Sequence, residues 1–171
     1  MFDLIGHINI NEIRPYYQYI TDWSLQDTLE LRSRNLVSYD QDKLKFYNHC
    51  TIQTADDAQT AQASDFVNVN TNNAGLVNLV QAILGDTFRM RWAILEANQT
   101  LDWHIDPPTG DRFIIVTQGE HTVEVNTKTD THSQTMLPGE VWYLNSNWYH
   151  RVINNTNTDR YAILGCFNYQ V

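Results

Sequence analysis

The pattern of hydrophobic and polar positions changes character about halfway along the chain. In residues 73–85 apolar side chains recur every three or four positions, which predicts a helix capped by Asn73 and ended by Gly85. A weaker pattern, with a capping-box-like Ser and Asp, predicts a helix over about 24–34. The polar stretch 51–72 has little periodicity and indicates a long loop. Residues 1–86 are therefore interpreted as a helical and irregular N-terminal part.

From Thr87 onward the period becomes two, because Phe88, Met90, Trp92 and Ile94 alternate with the residues between them. Clusters of Gly, Pro, Asn and Asp then separate several short strand candidates, at 112–117, 121–125, 134–137, 141–144, 150–153 and 161–167. Many short strands with turns between them are typical of a mainly β sandwich or jelly roll. We expect the N-terminal helices to pack on one outer face of this β core, residues 87–171.

Composition and net charge favour some kinds of protein and argue against others. A length of 171 residues with 42% hydrophobic side chains favours one globular domain, residues 1–171. The net charge of −9 and the absence of a basic run argue against nucleic acid as a partner. The first residues show neither a signal-peptide pattern nor a membrane-length apolar stretch, so we expect a cytoplasmic protein without membrane contact. Two cysteines, Cys50 and Cys166, make neither a disulfide framework nor a zinc motif.

The candidate chemistry begins with His104 and Asp106, which are two residues apart and therefore face the same side of an extended chain. His150, in a late strand candidate, supplies a possible third ligand if a closed barrel brings the strands together. Two His and one carboxylate form the facial triad typical of non-haem Fe(II) enzymes that use O₂. The alternative is that Asp106 is an ordinary turn acid before Pro107 and that His150 is structural.

A basic residue lies ten positions after His150, at the start of the last strand candidate. An Arg160 side chain pointing into a barrel needs an anion, and the C5 carboxylate of 2-oxoglutarate suits its planar fork. In the alternative interpretation Arg160 is a surface residue paired with Asp159 or another acid. His121 and His132 lie near strand ends without a partner pattern, and we expect both to be exposed.

Taken in order, these motifs resemble those of the aspartyl/asparaginyl β-hydroxylase family, a branch of the Fe(II)- and 2-oxoglutarate-dependent oxygenases that is also similar to certain free-proline hydroxylases. The resemblance covers about 88–167. It rests on strand 89–95, the His104-Ile105-Asp106 motif, Arg112, the turn 138–141, and His150 followed by Asn154 and Arg160.

The resemblance implies a double-stranded β-helix (a cupin-like jelly roll), with iron held by His104, Asp106 and His150 and with 2-oxoglutarate bound by Arg160. Arg112 is then a second basic group for the cosubstrate or for a substrate carboxylate. The chain departs from the family at Arg112-Phe113-Ile114, where members often have Arg-x-His. One polar contact to the cosubstrate is therefore missing or is supplied elsewhere.

The implied activity is that of a dioxygenase that uses Fe(II), 2-oxoglutarate and O₂ to hydroxylate an amino acid, either as a small molecule or within a peptide. Two alternatives belong to other classes. One is a cupin-type metalloenzyme that does not use 2-oxoglutarate, which the role of Arg160 would discriminate. The other is a non-enzymatic jelly-roll binding module, for example for carbohydrate, which ferrous-iron binding would discriminate.

Overall fold

The computed structural model of the protein describes residues 1–20, 31–35, 37–39, 66–69, 71–106 and 111–169. Two α-helices lie within these ranges, α1 (Ile10–Ile13) and α2 (Ala74–Leu84), with 3₁₀ turns at Arg14–Tyr19 and Thr71–Asn73. The strands are β1 (Phe2–His7), β2 (Leu31–Asn35), β3 (Val37–Tyr39), β4 (Phe66–Val69), β5 (Thr87–Leu95), β6 (Thr100–His104), β7 (Arg112–Gln118), β8 (His121–Asn126), β9 (Thr131–Met136), β10 (Glu140–Leu144), β11 (Tyr149–Ile153) and β12 (Arg160–Phe167).

The large sheet has the strand order β1-β10-β7-β12-β5-β2, and all of its neighbouring pairs are antiparallel. Its central strands β7 and β12 are buried along most of their length, which explains their nearly continuous apolar sequence. The small sheet has the order β6-β11-β8-β9. From β5 to β12 the chain passes back and forth between the two sheets, except that β8 and β9 follow one another in the small sheet. Each of these sheets therefore contains strands that are distant in the sequence.

A hydrophobic core lies between the two sheets. It includes Leu95, Ile114 and Ala162 of the large sheet and Val123, Val125 and Val152 of the small sheet. In β8 the residues His121, Val123 and Val125 are buried and alternate with more exposed ones, as expected for a strand with one face toward the core. This pair of facing antiparallel sheets is a double-stranded β-helix, or jelly roll, as the sequence predicted.

A second core covers the outer face of the large sheet. Leu76, Val77 and Val80 of α2 and Ile13 of α1 pack against large-sheet residues such as Trp92. Helices of the N-terminal part therefore pack on one outer face, as predicted, although α1 was not among the predicted helices. The helix predicted over 73–85 is also confirmed, as α2, although the side chain of Asn73 makes no capping hydrogen bond. Gly85 follows the helix, and its φ of 73° lies in the left-handed region that favours glycine.

The structure corrects parts of the N-terminal prediction. Residues 31–34, assigned to the end of a helix over 24–34, lie in β2, which pairs with β5; residues 24–30 lie outside the described part. Residues 66–69 of the predicted loop form β4. Strands therefore occur in the region expected to be helical and irregular, because pairing with other strands outweighs the weak local pattern. No helix among the described residues has the length and apolar character needed to span a membrane.

Candidate metal centre and its cavity

Two histidines face each other across neighbouring strands of the small sheet. His104, the last residue of β6, is the antiparallel partner of His150 in β11, and their ring centroids are 4.3 Å apart. On the opposite face of the same two strands, Trp103 stacks on Tyr149 at 5.5 Å. This stack holds β6 against β11 directly behind the two histidines.

Each of these imidazoles is oriented by a backbone carbonyl two residues earlier. Nδ1 of His104 lies 2.6 Å from the carbonyl oxygen of Asp102, and Nδ1 of His150 lies 2.8 Å from that of Trp148. A carbonyl oxygen can only accept a hydrogen bond, so Nδ1 carries the proton in both rings. In a neutral ring with this tautomer, Nε2 has a lone pair, as metal ligation requires.

The carboxylate of Asp106 completes the cluster. Asp106 follows β6 by two residues, and its Oδ2 lies 3.6 Å from Nε2 of His150. One ligand atom from each of His104, Asp106 and His150 lies within 4.8 Å of the others, so the three side chains could hold one metal ion. The sequence analysis selected the same three residues, from the spacing of His104 and Asp106 together with the family resemblance.

Arg112 of β7 fixes the carboxylate from the large sheet. Its Nε donates to Oδ2 of Asp106 at 2.8 Å and lies 3.2 Å from Oγ of Ser146, and the Arg112 side chain is almost fully buried. The ion pair crosses the gap between the sheets. Arg112 therefore orients the carboxylate of Asp106, one of the three candidate metal ligands. The predicted contact of Arg112 with the cosubstrate stays a prediction.

Burial lowers the pKa of His150 below its ordinary value. The carbonyl of Trp148 opposes this effect, and neighbouring His104 adds to it. The neutral imidazole, which is the form that binds a metal, is therefore favoured at neutral pH.

The three candidate ligands open into a cavity of about 60 Å³ between the sheets. This volume can hold several water-sized groups. Its described lining is apolar around a few charged groups, and consists of Arg91, Leu101, His104, Asp106, Arg112, Ile114, His121, Leu144, His150, Val152, Arg160 and Leu164. With the histidines neutral, the lining has an excess of two positive charges, so the cavity favours an anionic ligand.

Arg160 lies in this cavity rather than on the surface. Its side chain is only 2% exposed, and neither Nε nor Nη1 has a hydrogen-bond partner. This burial removes the alternative of a surface residue, and the carboxylate of neighbouring Asp159 accepts from the backbone N–H of Ala97. Burial lowers the pKa of Arg160 to about 9, so the guanidinium remains charged at neutral pH. A buried charge of this kind calls for a bound anion.

No protein-family model and no curated protein matches this sequence. Among solved structures, Peruvianin-I, a cysteine peptidase from Thevetia peruviana latex, is similar with a TM-score of 0.50 and 11% identity, over 86% of this chain and 67% of that chain. An oxalate oxidase in complex with glycolate has a TM-score of 0.41 and 20% identity, over 44% of this chain and 39% of its own. The cupin domain of Drosophila melanogaster CENP-C has a TM-score of 0.40 and 10% identity, over 44% of this chain and 57% of its own.

At these identities the likeness concerns the fold alone. The chain covers less than two thirds of the oxalate oxidase and of the CENP-C cupin domain. What these proteins do is therefore not carried over, and the chemistry of the site rests on its own residues.

The prediction for His121 is wrong, whereas His132 is exposed as expected. His121 is 2% exposed and lines the cavity with both ring nitrogens unpaired. The signal was present in the sequence, because His121 is in phase with Val123 and Val125 on the inward face of β8. Arg91 was also missed as a lining residue, since it was interpreted only as one member of an alternating strand.

Asn154 supports the turn that presents Arg160. Its fully buried amide donates to the carbonyl oxygens of Leu95, Glu96 and Thr158, and its Oδ1 accepts from the N–H and the hydroxyl of Thr156. These bonds connect the end of β5 to the β11–β12 turn. The start of β12, and with it Arg160, is thereby held in place.

Proposed function

We propose that the protein is an Fe(II)- and 2-oxoglutarate-dependent oxygenase that hydroxylates an amino acid, free or within a peptide. One observation carries the proposal. The His104, Asp106 and His150 cluster lines the same cavity as the buried guanidinium of Arg160, whose Nε and Nη1 have no hydrogen-bond partner. An iron site alone would fit many metalloenzymes, whereas a separate buried cation is what a dianionic cosubstrate requires.

The donor set fits Fe(II). Two imidazole Nε2 atoms and one carboxylate leave coordination positions free for cosubstrate and O₂. Bound Fe(II) would supply the activation of O₂, in a reaction that converts 2-oxoglutarate, O₂ and a C–H bond into succinate, CO₂ and an alcohol. The class of substrate comes from the resemblance of the motifs to aspartyl/asparaginyl β-hydroxylases.

The protein's own groups would bind, orient and exclude water. Arg160 would hold the C5 carboxylate through its planar fork. Arg112 keeps the Asp106 carboxylate directed at the cluster and offsets its charge. The apolar walls, formed by residues such as Leu101, Ile114 and Val152, would keep water away from the reacting groups.

Turnover tests the proposal directly. Purified protein supplied with Fe(II), ascorbate and 2-oxoglutarate is expected to release succinate slowly, even without its substrate. His150→Ala should abolish the release, whereas His132→Ala, at an exposed position of β9, should not. Equal succinate release by wild type and His150→Ala would place the iron site elsewhere. Metal binding without succinate release would favour a cupin-type enzyme that needs no 2-oxoglutarate, and no binding of Fe(II) would favour a binding module.

Binding tests the role of Arg160. Anaerobic titration of 2-oxoglutarate into the Fe(II) protein produces a metal-to-ligand absorption band whose growth gives the dissociation constant. Charge-assisted hydrogen bonds contribute about 1.5–3 kcal/mol each, so Arg160→Ala should raise this constant by at least about tenfold. Arg160→Lys keeps the charge but loses the fork, and should also weaken binding. Fe(II) affinity should change far less, and an unchanged 2-oxoglutarate affinity in Arg160→Ala would refute the assignment.

A further inference from the structure

Four buried nitrogen atoms, on two side chains that line the cavity, have no hydrogen-bond partner. They are Nδ1 and Nε2 of His121 and Nε and Nη1 of Arg160. In the described part of the chain only six buried side-chain N or O atoms are unpaired, and the other two belong to Asn73 and Trp92. Since unpaired polar groups are costly to bury, a concentration of them in a cavity indicates a ligand that pairs with them.

The fold brings His121 and Arg160 close enough to interact electrostatically. His121 begins β8 in the small sheet, and Arg160 begins β12 in the large sheet. Between β7 and β8 the chain turns at Gly119, where an added Cβ would lie 3.3 Å from Cα of Arg160. The turn therefore packs on the backbone of Arg160, and β8 begins with His121 only two residues after Gly119. Both residues are 2% exposed, so this part of the cavity is deep.

The histidine is a neutral donor at this place. Burial lowers the pKa of His121 well below its ordinary value, and the positive charge of Arg160 lowers it further. At neutral pH one ring nitrogen therefore carries a proton that it can donate, while the other can accept. A carboxylate has two oxygen atoms and about four acceptor sites, enough for the guanidinium fork and one imidazole N–H together.

We infer that His121 and Arg160 form one composite carboxylate subsite, in which His121 donates a hydrogen bond to the same carboxylate that Arg160 binds. This inference rests on the proposed function, under which that group is the C5 carboxylate of 2-oxoglutarate. His121 then determines specificity, because its hydrogen bond is made only with a 2-oxo acid that has a second carboxylate.

The subsite is tested with two ligands that differ only at C5. 2-Oxoglutarate and 2-oxopentanoate share the 2-oxo acid end, but 2-oxopentanoate has a methyl group in place of the second carboxylate. Each is titrated anaerobically into the Fe(II) protein, and the absorption band of the chelate gives its dissociation constant. The proteins are the wild type, His121→Leu, His121→Asn, His121→Gln and a control, His132→Leu, at an exposed histidine of β9.

His121→Leu is expected to raise the dissociation constant for 2-oxoglutarate by about tenfold or more, as the loss of one charge-assisted hydrogen bond implies. The constants for 2-oxopentanoate and for Fe(II) should stay within about twofold. His121→Asn or His121→Gln, which retain an N–H donor, should recover part of the affinity, and His132→Leu should behave as the wild type.

An unchanged 2-oxoglutarate constant in His121→Leu would overturn the composite subsite and leave the proposed function intact. An equal loss for both ligands would also overturn it, because the effect would then not depend on the second carboxylate. If Fe(II)-loaded wild type forms no chelate band with either acid, the proposed function itself is wrong and the inference falls with it.

Discussion

The buried histidine of the cavity gives a prediction about stability that needs no ligand. The pKa of His121 is lowered well below 6.5 in the folded protein, first by burial and then by Arg160. The unfolded chain lacks both effects, so it binds a proton at His121 near pH 6.5 while the folded protein does not. As the pH falls below 6.5, the unfolded state is therefore stabilised relative to the folded state.

The magnitude follows from the difference in bound protons. One proton bound only by the unfolded chain changes the free energy of unfolding by at most about 1.4 kcal/mol per pH unit. Half of the unfolded chains are protonated at this residue at pH 6.5, so the slope rises toward that limit as the pH falls. Acidification from pH 6.5 to 5.5 should destabilise the wild type by on the order of 1 kcal/mol more than His121→Gln, which cannot titrate there.

The assay is urea unfolding at several values between pH 5.5 and 7.5, with EDTA present so that metal binding adds no pH dependence. The quantity compared is the free energy of unfolding of the wild type minus that of His121→Gln. If this difference is the same at every pH, it reflects packing. If it decreases as the pH falls, it reflects the titration of His121. His132→Gln should run parallel to the wild type. If the free energy of unfolding of His121→Gln also ran parallel to that of the wild type across the pH range, the prediction would be refuted. His121 would then titrate alike in the folded and the unfolded state.

Two further substitutions test the packing that holds the site. Asn154→Ala removes five hydrogen bonds at a fully buried position, so it should lower the free energy of unfolding by about 2–4 kcal/mol. Urea unfolding measures this loss against Asn147→Ala, a control at an exposed position. A loss as small as that of the control would contradict the hydrogen bonds described for Asn154. Gly165→Ala places a Cβ 2.5 Å from a ring carbon of buried Phe113, and this clash should lower the free energy of unfolding by about 1–3 kcal/mol. Adding Phe113→Leu should recover part of this loss, and full additivity of the two losses would argue against a clash.

The fold of the second half could be predicted because its strands carry their own signals. In β8, β10, β11 and β12, and in α2, most apolar positions of the sequence are the positions that the fold buries. Strand β2 had no such signal. It is a polar segment that becomes a strand through its pairing with β5, an interaction between distant residues that a local window does not contain.

The candidate site could be predicted in part for the same reason. His104 and Asp106 share a face because of their spacing alone, and that relation is local. The interactions of Arg112 and His121, by contrast, do not follow from spacing in the sequence. The Asp106 partner of Arg112 and the placement of His121 beside Arg160 both depend on how the two sheets face each other. Position near a turn suggested an exposed His121, whereas its phase within β8 decided its burial.

The carbonyl groups that orient His104 and His150 belong to the backbone, and each is only two residues away from its ring. No side-chain substitution elsewhere in the cavity can remove them. The ligand geometry of these two residues is therefore encoded by two short segments and is largely independent of the walls around it. Evolution or protein engineering can accordingly remodel the apolar and basic lining to accept a different substrate while both imidazoles keep the tautomer that binds metal.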